Sequence, residues 1–112
     1  MENVFANTLR IQMKMYVLVK RSLPSHKCIG IAHGVLMAHL KYQDAPSYKD
    51  WLKNSFRKVI CEVSDEQFEA AKKVPQNVVV TESGLGGIEV ALVFSPREVW
   101  PREFRYFSLM KV

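Results

Sequence analysis

Four short apolar, β-prone runs punctuate the chain. They lie in residues 14–21 (KMYVLVKR), 57–63 (RKVICEV), 77–81 (NVVVT) and 88–94 (IEVALVF). All four predict strands, and the continuous apolar run Tyr16 to Val19 predicts that the first is buried on both faces. Between the first two, residues 23–40 (LPSHKCIGIAHGVLMAHL) predict a helix to about Tyr42, with Pro24 in its first turn and Ser25 as cap. Ser47 marks a second, short helix with Trp51, Leu52 and Phe56 on its apolar side. Ser64-Asp65-Glu66-Gln67 is a capping box opening a helix that runs through Lys73 before Pro75. The turn ESGLGG at 82–87 permits positive φ, so the third and fourth strands predict a hairpin. The tail from Arg97 carries Trp100, Phe104, Tyr106, Phe107, Leu109 and Met110, which is enough apolar surface to pack back on the domain. The expected fold is α/β: a single mixed four-stranded sheet with helices on both faces. Residues 1–12 read as a polar extension and 13–112 as one domain.

Residues 23–40 divide unevenly around a helix. Cys28, Ile29, Ile31, Ala32, Val35, Leu36, Ala38 and Leu40 make a broad apolar face that predicts the core side. His26, Gly30, His33 and Met37 form an opposite stripe, flanked by Lys27, Gly34 and Lys41. Each Gly costs a helix interior about 1 kcal/mol relative to Ala, so something must approach closely there. That something is either a ligand at a surface or a neighbouring element packed against small residues. A third reading makes the glycine-and-histidine face a homodimer interface. His39 falls among the apolar positions and predicts a hydrogen-bonded core histidine.

Composition narrows the classes. The chain has 112 residues, sixteen basic against eleven acidic, for a formal charge of +5. That is a mild bias toward anions such as RNA or phosphate. Cys28 and Cys61 lack CxxC spacing and sit in apolar runs, so buried free thiols are expected, a disulfide being the alternative. No apolar run reaches membrane-span length, and the first residues lack a secretion signal's pattern, so a cytoplasmic location without membrane contact is expected. His26 and His33 lie about 10 Å apart along a helix and cannot share a metal directly; neither a metal nor a cofactor is expected. The turn lacks the Lys and Ser/Thr of a P-loop, and no GxSxG occurs.

In an open α/β sheet the ligand crevice lies at the carboxyl ends of parallel strands. The topology brings Lys20, Arg21, His26 and Lys27 there from the first strand and helix, and Thr81, Glu82 and Ser83 from the third strand. A carboxylate facing bases at a helix start can hold and polarise an ester or phosphate.

With these segments in hand, the chain resembles the type II peptidyl-tRNA hydrolase family over residues 14–112. The resemblance rests on YVLVKR, Ala32-His33, Glu82-Ser83-Gly84, Ser95-Pro96 and the closing FSLMKV. It implies that fold and cleavage of the ester between a peptide and tRNA, and the expected substrate here is a peptidyl- or aminoacyl-tRNA ester, with no cofactor. The family's helix-start lysine falls near His26 or Lys27, its glutamine at Gly30, its turn aspartate at Glu82, and its Arg-Thr pair at Leu85-Gly86. The implied roles are catalytic for His26, Lys27 and Glu82. Lys20, Arg21, Gly30, His33, Gly34, Ser83 and Gly84 would bind substrate. The alternative is a catalytically inactive member of the fold that binds RNA, a nucleotide or a protein.

Overall fold

The computed structural model describes residues 13–111; the expected extension at 1–12 lies outside them. Strand β1, Met15–Lys20, is central because its six residues can bury both faces. Met15, Val17 and Val19 enter one core, and Tyr16 and Leu18 enter the other. Helix α1, Lys27–Tyr42, and helix α2, Pro46–Asn54, follow. Strand β2, Lys58–Val63, returns parallel to β1, with Met15 opposite Lys58 and Lys20 opposite Val63. Helix α3 is Asp65–Ala71, and its Ser64–Gln67 capping box is complete. Strands β3, Asn77–Glu82, and β4, Ile88–Phe94, form the expected hairpin, with Gly86 and Gly87 at positive φ in the turn.

Among the described residues the sheet has five strands in the order β3-β4-β1-β2-β5. The expected count of four is corrected by β5, Ser108–Leu109, which adds antiparallel to β2. It is only two residues long and exposed, so no apolar run announces it. Strand β4 runs antiparallel to both β1 and β3, so β1, β2 and β3 share one direction. Their carboxyl ends therefore line one edge of the sheet. Helices α1 and α2 cover one face with Ala38, Tyr48 and Trp51; α3 and the 3-10 segment Arg102–Tyr106 cover the other with Phe68, Ala71 and Phe104. The tail packs back as expected, and Trp100, Phe104 and Phe107 join the second core. No helix among the described residues is long and apolar enough to cross a membrane.

The faces of α1 are corrected. Its buried residues are Gly30, Gly34 and Ala38, one helical turn apart, with Ile31 and Val35 packed beside them. Ile29, Leu36 and Leu40, expected inside, are 49%, 60% and 64% exposed. The reason is steric. A Cβ on Gly34 would lie 2.5 Å from Val93 Cγ2 and 2.8 Å from Val80 Cγ2, and one on Gly30 would lie 2.9 Å from Val90 Cγ2. The valines fill the space that side chains on α1 would occupy. A bulge between β3 and β4 at Val80/Thr81 adds Val90 to the same core as Ala91, against Gly30.

Smaller corrections follow from backbone geometry. Ser25 and Ser47 do not cap: His26 and Ala45 occupy those positions, and neither donates or accepts a side-chain capping bond. Helix α3 stops two residues before Lys73, and Leu52 and Phe56 are exposed. Cys28 is exposed rather than buried, whereas Cys61 is a buried free thiol. His39 is half-buried and hydrogen-bonded through Nδ1 to the Tyr48 hydroxyl at 3.2 Å, as expected.

Candidate functional site

The carboxyl ends of β1 and β3 meet where α1 begins. His26 closes the loop after β1 with φ 69°, a left-handed conformation uncommon for a residue with a Cβ. Its carbonyl accepts from Gly30 N–H at 3.0 Å, which starts the helix. Its imidazole Nδ1 lies 2.6 Å from Ser25 Oγ, a strong hydrogen bond that fixes the ring. From the other side, Glu82 ends β3 and accepts from Gly84 N–H at 3.1 Å through Oε2.

Gly84 brings the two groups together. A Cβ there would lie 3.4 Å from His26 Nε2 and 3.6 Å from Glu82 Oε2, so the imidazole and carboxylate flank one point. The other carboxylate oxygen, Glu82 Oε1, is buried and has no hydrogen-bond partner among the described residues. An unpaired buried carboxylate oxygen is costly, and such groups mark functional sites or an absent ligand. Beside the site, Leu23, Pro24, Cys28, Ile29 and Met110 wall a shallow groove of about 460 Å³ that also reaches Ser25 and His26. The N–H groups of α1's first turn have no partner within the helix and open at this end.

The expected site residues divide. His26, Glu82 and Gly84 converge, with Ser83 in the same turn. Lys27 is adjacent in sequence, but its Nζ pairs with Glu62 at 2.8 Å. That hydrogen bond holds the Glu62 carboxyl below its usual range against desolvation, and the Lys27 and Arg21 charges add to it. Arg21 donates to the Glu62 carbonyl at 3.3 Å. Lys20 points to the other face of the sheet, with its ammonium 4.8 Å from the centre of the Phe68 ring. His33 is exposed two turns along α1. Gly30 and Gly34 do not share its outward stripe; what approaches them is the sheet.

Ser25, read from sequence as a cap, is instead the partner of the imidazole. Glu62 was missed altogether. A carboxylate four residues into an apolar strand was a legible signal that some cation must meet it. No protein-family model matches the chain, and neither does any curated protein.

Proposed function

We propose that the chain is a peptidyl-tRNA hydrolase-like esterase acting on peptidyl- or aminoacyl-tRNA. The observation that carries this reading is the buried, unpartnered Glu82 oxygen beside the His26 imidazole at the helix start. With Nδ1–H donating to Ser25 Oγ, the Nε2 lone pair is free to take a proton from water. The water oxygen attacks the ester carbonyl carbon, and the first-turn N–H groups of α1 receive the developing oxyanion. When the carbon–oxygen bond breaks, Nε2 returns its proton to the ribose oxygen. Glu82 stabilises the imidazolium formed between these steps and can position the water.

The strand and helix order supports this reading, as does the positive net charge facing a polyanionic substrate. The engagement of Lys27 by Glu62 favours the second reading, a member of the fold that binds RNA without cleaving it. Release of labelled N-acyl amino acid from tRNA decides between them. Turnover lost in His26→Ala and Glu82→Ala supports the esterase. Absence of turnover on several acyl-tRNAs, with salt-sensitive tRNA binding, leaves the binding protein; absence of both removes the two readings together.

A further inference from the structure

At the opposite end of β1 from His26, on the other face of the sheet, a second cavity has predominantly polar walls. It encloses about 160 Å³ and is lined by Lys14, Tyr16, Glu98, Trp100, Pro101 and Arg105. Tyr16 is 4% exposed, and its ring is clamped edge-on by Trp100 at 4.7 Å and Phe104 at 5.1 Å. Its hydroxyl finds no hydrogen-bond partner among the described residues, although it borders the cavity. Burial raises the pKa of this hydroxyl and Cys61 adds to the rise, while Arg105 and Arg57 oppose it. The phenol therefore stays a donor at neutral pH. The indole Nε1 of Trp100 is buried without a partner among the described residues. Lys14 reaches over the Tyr16 ring, 5.4 Å from its centre.

An unpaired buried donor is rare, and here the Trp100 indole N–H accompanies the Tyr16 hydroxyl and two cations around one space. Among the described residues Lys14, Arg105 and Glu98 form no ion pair with one another, so their charges surround the cavity without neutralising it. Two cations and a phenol O–H specify a compact oxyanion. Glu98 sharpens the identity. A carboxylate repels a fully deprotonated anion but accepts a hydrogen bond from one that still carries a proton. Phosphate does so near neutral pH; sulfate does not.

We infer that this cavity binds a protonated phosphate group, held by Lys14, Arg105 and the Tyr16 hydroxyl, with a Glu98 carboxylate oxygen accepting a hydrogen bond from the phosphate O–H. The site is separate from His26 and Glu82 and does not depend on the activity proposed for them.

The test uses the full chain and the two indole N–H signals in a nitrogen–proton NMR spectrum. Trp51 donates to the Arg57 carbonyl at 2.7 Å and serves as the internal reference. Titration with inorganic phosphate is expected to shift the Trp100 signal saturably, while sodium sulfate at the same ionic strength does not. Arg105→Gln and Tyr16→Phe should each weaken binding by about tenfold, the size of one charge-assisted hydrogen bond. Glu98→Gln should admit sulfate. Both Arg105 and Glu98 are exposed, so these variants keep the fold. Titration with glycerol phosphate distinguishes the sources: tighter binding than inorganic phosphate assigns an esterified ligand, weaker binding the free ion. No saturable shift with either, equal response to sulfate in the wild type, or binding unchanged in Arg105→Gln would overturn the proposal.

Discussion

Gly34 and Val93 are in such close register that a single methyl group cannot be placed between them: a Cβ on Gly34 would lie 2.5 Å from Val93 Cγ2. Helix α1 thus rests on the sheet at its glycines. Replacement with alanine gains about 1 kcal/mol of helix propensity but imposes overpacking of about 1–3 kcal/mol. Gly34→Ala is expected to lower stability by up to about 2 kcal/mol in urea denaturation. The same change with Val93→Ala should cost less than the two single losses added, since the second removes the clash. Raised stability in Gly34→Ala would mean that the helix is free to lift from the sheet.

The thiols differ in environment. Cys28 is exposed at the start of α1, whereas Cys61 is buried in β2 and its pKa is pushed up to about 11 by burial. An aromatic disulfide reagent near neutral pH should therefore titrate one thiol per native chain and two in denaturant. Fast modification of both natively would contradict the burial of Cys61.

The Lys27–Glu62 pair carries a pH signature. Because the folded Glu62 carboxyl is held down mainly by the Lys27 hydrogen bond, its contribution is complete above the unfolded value of about 4.3. It is lost as pH falls through the lower folded value. Lys27→Met should be less stable than wild type near neutrality, and the difference should shrink in acid below about pH 4. Urea midpoints measured across that range check it; a difference independent of pH would assign the effect to packing of the lysine stem.

Glu82 should show opposed effects on stability and activity. Its Oε1 is buried and unpaired among the described residues, so Glu82→Gln should leave thermal stability equal or raised. If the esterase reading holds, the same variant loses about a hundredfold or more in hydrolysis. A variant both destabilised and fully active would make Glu82 a structural residue.

How much of this was legible in the sequence depended on where bulk hydrophobicity decides the outcome. Strand β4 was read to the residue because the apolar run Val90–Phe94 lies between a glycine turn and Ser95-Pro96. The capping box at Ser64 was legible because it is a local exchange of two hydrogen bonds. The inward face of α1 was not. A hydrophobicity wheel ranks Leu36 and Leu40 above glycine, but the approach of Val80, Val90 and Val93 ranks the absence of a side chain above both. Strand β5 was illegible because Ser108 and Leu109 pair through backbone alone while their side chains face solvent. At the candidate site, the convergence of His26 and Glu82 was readable from strand direction. The engagement of Lys27 was not, because Glu62 lies 35 positions away and local patterns do not reveal its partner.

The strand order has a consequence for how the chain is made. Strand β1 is bordered by β2 and β4, and β4 in turn is the only strand that connects β3 to the rest of the sheet among the described residues. As synthesis proceeds, β1 and β2 can pair, but the β4 side of β1 and the underside of α1 stay uncovered until residues 88–94 have emerged. Until then the nascent chain carries an open strand edge and an unseated helix. That interval is when a chaperone, or a stray partner strand, would meet it.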